Sequence, residues 1–136
     1  MIGTSSKFTG TAKTILNHDA IQIFVTVGTD EKRDHLYKNF GIAQDHICSS
    51  RNSSFAREIR QRTDGRGVNV ILNSLTGELL DESWRLLADG GILVEIGKRD
   101  IVQRNRLAME PFDRNCTFRA LDLSYVKEIT DELIER

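Results

Sequence analysis

Short β-branched runs alternate with segments of helical periodicity along most of this chain, and that alternation restricts it to a layered α/β fold. Residues 21–27 (Ile-Gln-Ile-Phe-Val-Thr-Val) form the first such run, and Gly28, Thr29 and Asp30 turn it into a charged segment from Glu31 to Phe40. Leu36 and Phe40 give that segment an apolar stripe, and Gly41 is a natural C-cap. The cycle repeats with a short strand at residues 46–48, a Ser/Asn loop, and a helix in which Phe55 and Ile59 share a face.

A turn over residues 63–67 then leads to residues 68–72 (Val-Asn-Val-Ile-Leu), apolar enough to predict a central strand covered on both faces. Leu80, Trp84 and Leu87 line the helix that follows, Asp89, Gly90 and Gly91 end it, and residues 92–96 form a fourth strand. Residues 99–114 are polar, basic and broken by Pro111, which predicts an irregular crossover before strand-like composition returns at 116–121. Val126, Ile129 and Leu133 mark a terminal amphipathic helix. Strand and helix at this interval predict a parallel sheet with right-handed crossovers, a Rossmann-like layer.

A chain of 136 residues is the size of one domain and buries roughly two-thirds of its unfolded surface. Its formal charge of −1 disfavours a nucleic-acid or anionic-membrane partner. No window approaches the ~20 apolar residues of a bilayer span, and the first twenty residues have no signal-peptide architecture, so a cytoplasmic protein is expected. Cys48 and Cys116 lie in or beside apolar segments and read as buried free thiols, with no second pair for a zinc site and no metal expected.

In a parallel sheet ligands sit beyond the carboxyl ends of the strands, and Val94-Glu95-Ile96-Gly97-Lys98 reads as a buried strand that ends in a glycine and presents a cation there. Gly97 would let a cofactor approach the backbone. Asn73 and Ser74 stand at the end of the central strand, where they could equally cap the next helix. The turn Gly28-Thr29 carries no acidic residue at the strand end, and Thr29, Lys32 and Arg51 offer a hydroxyl and two cations to a ribose bearing a 2′-phosphate.

Three words of this sequence, the run from Val70 to Glu78, Glu95-Ile96-Gly97-Lys98, and Phe118-Arg119-Ala120-Leu121-Asp122-Leu123, resemble the enoyl reductase domain of highly reducing polyketide synthases. That family is a branch of the medium-chain dehydrogenase/reductase superfamily, which also holds the fatty acid synthase enoyl reductase. The turn Thr26-Val27-Gly28-Thr29 with Lys32 and Arg33 resembles the family's ribose-recognition turn. The resemblance implies NADPH as cofactor, with Gly28, Thr29, Lys32, Arg51, Asn73, Ser74 and Gly97 around it. It implies Lys98 and Asp122 as the catalytic proton-donating pair. The substrate it implies is an α,β-unsaturated acyl thioester carried on an acyl carrier protein.

Two features depart from the family. The first strand and its glycine-rich turn are missing in this reading, since residues 5–17 hold one glycine, Gly10, and no apolar strand precedes them. Losing the pyrophosphate contacts of such a turn weakens binding by about one to three orders of magnitude. The substrate domain of the family is also absent. Residues 1–20 are therefore read as an atypical N-terminal segment and residues 21–136 as a partial NADP-binding, Rossmann-like enoyl reductase domain, the sheet being truncated. Two alternatives stand beside this. One is a non-catalytic remnant that docks on a synthase or forms a homodimer through an uncovered strand. The other is a quinone-oxidoreductase-like enzyme, which shares the Val27-Gly28-Thr29 turn.

Overall fold

The computed structural model describes residues 2–3 and 21–122, and within them the Rossmann-like α/β layer is present. The strands are β1 (Ile2–Gly3), β2 (Val25–Val27), β3 (Ile47–Ser49), β4 (Val68–Asn73), β5 (Leu87–Glu95) and β6 (Thr117–Ala120). The helices are α1 (Asp30–Phe40), α2 (Ser54–Arg62), α3 (Glu78–Arg85) and the single turns α4 (Arg99–Val102) and α5 (Glu110–Asp113). All strand pairs are parallel and the order is β3-β2-β1-β4-β5-β6. The order reverses direction between β1 and β4, and a crevice at such a switch point is where this fold binds ligands.

The expectation of a missing first strand is corrected here. Ile2–Gly3 occupies that slot, pairing with Val25 and Thr26 on one side and Leu72 on the other. Two residues, one of them glycine, carry no period from which a strand can be read. With the slot filled, the reason for expecting a partner at an uncovered mid-sheet strand is gone. The turn around Gly10 and the helix expected at 126–133 lie outside the described residues.

Alternation along the strands divides the core between two faces. On one, Phe24, Cys48, Ile71 and Leu93 pack with Phe55 and Ile59 of α2 and with Leu80 and Trp84 of α3. Trp84 is fully buried and its indole N–H donates to the Ala108 carbonyl at 2.7 Å, so the loop before α5 is tied to the core by a satisfied polar group. On the other face Val25, Val27 and Ile47 pack with Leu36 and Ile42. On that face beyond α1, Val70 of β4 is 61% and Ile92 of β5 42% exposed.

The strand expected at 92–96 begins five residues earlier. Leu87 pairs with Val68 and Ile92 with Val70, which leaves three extra residues bulged out of β5. Gly90, at φ +71°, lies in that bulge, and its N–H donates to the Arg114 carbonyl at 2.8 Å. Asp89, Gly90 and Gly91 are thus part of the sheet, and α3 ends earlier, at Arg85. Both cysteines are buried and free, as expected. Among the described residues no helix is long and apolar enough to cross a membrane.

Candidate cofactor and proton-transfer site

At the carboxyl end of β2 the chain turns at Gly28 and enters α1 through Thr29. The Thr29 hydroxyl accepts the Lys32 N–H at 3.4 Å, an N-cap that uses one of the acceptors expected to face a ribose. The Arg51 side chain reaches back from the loop after β3, its Nε–H donating to the Gly28 carbonyl. These groups border a cleft of about 510 Å³ lined by Val27, Gly28, Thr29, Asp30, Glu31, Arg33, Ser49 and Arg51. Gly28, Thr29 and Arg51 are therefore brought together, whereas Lys32 is outside the lining. Arg33 takes its place as the second cation, and its guanidinium also donates to the Gln44 carbonyl at 3.3 Å. The residue one step further along the first turn of α1 faces the cleft, an orientation that composition does not reveal.

A second cluster forms where β4, β5 and β6 end. Asn73 is 1% exposed and aligned with Glu95 on the neighbouring strand. Its amide nitrogen donates to the Leu75 carbonyl at 2.8 Å and to Glu95 Oε2, while its Oδ1 is buried with no partner among the described residues. Ser74 is exposed. Neither residue caps the following helix: Gly77, at φ +61°, is the N-cap of α3, and its N–H donates to both carboxylate oxygens of Asp100 at 3.0 and 3.1 Å.

From the end of β5, Lys98 extends its ammonium to Asp122 beyond β6, with Nζ to Oδ2 at 2.6 Å. The side chains are 53% and 42% exposed, so a substrate can reach the pair. Residues 24 positions apart meet because β5 and β6 are adjacent and parallel, and both side chains leave the same end of the sheet.

Glu95 was not singled out by its residue type. It is 2% exposed, its Oε1 accepts the Gly97 N–H and its Oε2 the Asn73 amide. Burial raises its pKa above the ordinary carboxylate value, the hydrogen bonds from Asn73 and Gly97 oppose that rise, and Asp100 adds to it. The available signal was its parity: Glu95 lies two residues after the buried Leu93, on the same face of β5. A Cβ at Gly97 would come within 2.7 Å of Glu95 Oε1, so this glycine leaves room for the carboxylate as well as for any ligand.

The family described as zinc-binding dehydrogenase matches residues 11–131. The chain belongs to the zinc-binding dehydrogenase family. It is 54% identical over 119 residues to the highly reducing polyketide synthase claI of Penicillium crustosum, covering 88% of this chain and 5% of that protein. It is also 54% identical over 124 residues to the squalestatin tetraketide synthase of Phoma sp. (strain C2932), covering 90% and 5%. The chain thus spans about one-twentieth of the length of these synthases.

Among solved structures, the nucleotide-binding subdomain of the enoylreductase domain of PpsC from Mycobacterium tuberculosis is similar at a TM-score of 0.71 and 35% identity, over 80% of this chain and 59% of that one. The CurK enoyl reductase is similar at 0.70 and 31%, over 98% and 41%. Within the zinc-binding dehydrogenase family this chain is a partial enoyl reductase domain of the medium-chain dehydrogenase/reductase superfamily.

The family's name raises the question of a metal, and the donors among the described residues do not fit one. Among the described residues no three His, Cys, Asp or Glu side chains converge. Burial pushes the Cys48 thiol up to about 11, the reverse of what a thiolate ligand requires. No catalytic step is therefore derived through zinc.

Proposed function

We propose that this domain binds NADPH and reduces the α,β-unsaturated acyl thioester of a carrier-bound polyketide intermediate. NADPH supplies the hydride that goes to the β-carbon of the enoyl group. The electron pair of the C=C bond then moves onto the thioester oxygen as an enolate, and a proton delivered to the α-carbon restores the carbonyl. The observation that carries this reading is the Lys98 to Asp122 contact at the carboxyl ends of adjacent strands, beside the buried Asn73.

An ammonium stabilises a developing enolate and holds the proton that the α-carbon needs. The Asp122 carboxylate orients that ammonium, and water can replace the proton once it has been given up. Asn73, 1% exposed, holds the end of β4 to Glu95 beneath the site rather than touching the cofactor. Gly28, Thr29 and Arg51, with Arg33, would hold the adenosine ribose end. Arg51 supplies the cation that favours a 2′-phosphate over a free hydroxyl. Asp30 and Glu31 stand in the same cleft, so the preference for NADPH depends on how far Arg51 and Arg33 outweigh them.

Calorimetric titration of the chain with NADPH, and with NADH as the matched control, tests the reading. Micromolar binding of NADPH with clearly weaker NADH supports it. No binding of either at millimolar concentration refutes it. A crotonyl thioester of pantetheine then serves as the carrier-bound substrate mimic.

A further inference from the structure

Three elements of the candidate site meet at one residue. Glu95 accepts the Gly97 N–H and the Asn73 amide through its two carboxylate oxygens, and its own backbone carbonyl accepts the Leu121 N–H at 2.8 Å. Gly97 precedes Lys98, Leu121 precedes Asp122, and Asn73 is the buried amide at the end of β4. The Ile96 N–H donates to the Asn73 carbonyl at 2.9 Å, which closes the set from the other side. A carboxylate 2% exposed costs several kcal/mol to keep ionised at such depth unless its partners are well placed. A group of that kind is poorly suited to stabilising the fold and well suited to fixing a geometry.

We propose that Glu95 is a positioning residue, its buried carboxylate clamping the Gly97 and Lys98 turn to Asn73 and so holding the Lys98 ammonium against Asp122. The proposal rests on the reading of Lys98 and Asp122 as the proton-handling pair. Glu95 itself is too deep to touch substrate.

The chemistry of the clamp gives it a pH signature. Ionised, Glu95 accepts from both N–H donors; protonated, one oxygen becomes a donor and one of the two contacts is lost. The groups that face it are the Asn73 amide from β4, the Gly97 N–H from the turn, and the charge of Asp100 on α4. Of these only Asp100 carries a charge, and it opposes the ionisation of Glu95.

The test compares the 15N-labelled wild-type chain with Glu95→Gln. In the wild type, the Gly97 and Lys98 amide signals should shift together as acid is added, and Gly97 should exchange its hydrogen slowly. In Glu95→Gln that acid shift should vanish and Gly97 exchange should quicken about ten- to hundredfold, as for loss of a charge-assisted hydrogen bond. Turnover of the crotonyl thioester should fall about tenfold in kcat with KM unchanged, because the change misplaces the proton donor and leaves the binding contacts intact.

Gly97 exchange and acid shift that are the same in both proteins would overturn the clamp. Should Glu95→Gln fail to fold, Gly97→Ala attacks the same contact from the other partner, since its new Cβ would stand 2.7 Å from Glu95 Oε1. The Glu95 carboxyl, followed by 13C, should then titrate at a higher pH than in the wild type, and an unchanged titration overturns the proposal. A wild-type chain with the expected amide behaviour and no turnover upholds the clamp and refutes the proton-handling reading, so the two failures are distinguishable.

Discussion

Replacing Lys98 with alanine, and separately Asp122 with asparagine, should separate chemistry from stability. The pair is 2.6 Å apart, but its side chains are 53% and 42% exposed. At the dielectric constant of water the attraction at that distance is ~1.6 kcal/mol. Screening and the rotamer entropy of two ordered side chains reduce the net contribution of such exposed pairs to ~0.2–1 kcal/mol. For a domain of this size that corresponds to a shift in Tm of less than about 5 °C. Loss of a positioned proton donor, in contrast, removes about 10²- to 10⁴-fold in rate. The assay is the consumption of NADPH with the crotonyl thioester, run beside a thermal melt of each variant. The expected result for Lys98→Ala is a kcat at least 100-fold lower in a protein that melts within 5 °C of the wild type. Asp122→Asn, which keeps the shape and removes the charge, should retain more activity than Lys98→Ala because the ammonium remains. Full activity in both variants would refute the assignment, and so would a collapse of stability that accounts for the lost rate.

Gly67→Ala should destabilise the fold by more than ~2 kcal/mol in urea denaturation, because Gly67 has φ +79° and a Cβ there would stand 2.1 Å from the Leu86 carbonyl oxygen. Gly65→Ala, at φ +80° but with nothing within 4 Å, should lose only the ~1–2 kcal/mol of backbone strain, and equal effects would show that the clash is absent. Trp84→Ala should lose ~3–5 kcal/mol and loosen the loop before α5, read as faster amide exchange near Ala108, because the indole fills the larger core cluster and donates to that carbonyl. Burial, with Glu58 assisting, raises the Cys48 thiol from 9.0 to about 11, so the folded state holds its proton longer than the unfolded chain does. The stability this represents is complete below pH 9 and is lost as the pH rises through about 11, roughly 2–3 kcal/mol in all. Wild type should show that loss in urea denaturation series across the window, and Cys48→Ala should not.

Much of this arrangement was legible in the sequence where a residue's neighbours along the chain determine its surroundings. The apolar run 68–72 forms β4, Phe55 and Ile59 share the buried face of α2, and the charged segment from Glu31 to Phe40 lies in α1. The resemblance pointed to Lys98 and Asp122, and the parallel pairing of β5 and β6 brings them together. What stayed hidden depends on contacts between distant segments. Ile2–Gly3 is recognisable as a strand only through its pairing with β2 and β4. The residues from Asp89 to Gly91 read as a helix end because glycine is common there, yet Arg114, twenty-four residues beyond Gly90, receives the Gly90 N–H and draws the segment into β5. Arg33 rather than Lys32 lines the cleft, an orientation set by the packing of α1 and not by its order of residues. Glu95 looked like one letter of a family word, and its parity with Leu93 was the only local sign of its burial.

The contrast between the two regions of the molecule explains how a site of this kind can be held. The core beneath α2 and α3 is apolar, with the Trp84 indole as its main polar group, and that group is satisfied. The carboxyl end of the sheet is the opposite: a buried carboxylate, a buried amide with one oxygen unpartnered, and an exposed ion pair. None of these contributes much to folding, and Glu95 and Asn73 act against it through desolvation. Glu95 and Asn73 are placed by backbone hydrogen bonds between β4, β5 and β6, which Ile96 and Leu121 extend past the last paired residues, and the Glu95 carboxylate in turn holds the Gly97 turn. The strands therefore carry the geometry and the core carries the stability. Substitutions in the Trp84 cluster should change Tm in proportion to volume lost, whereas substitutions at Asn73, Glu95 and Lys98 should change turnover with little change in Tm. A mutational survey that found the two sets of effects correlated would show that the site and the core are not separable in this way.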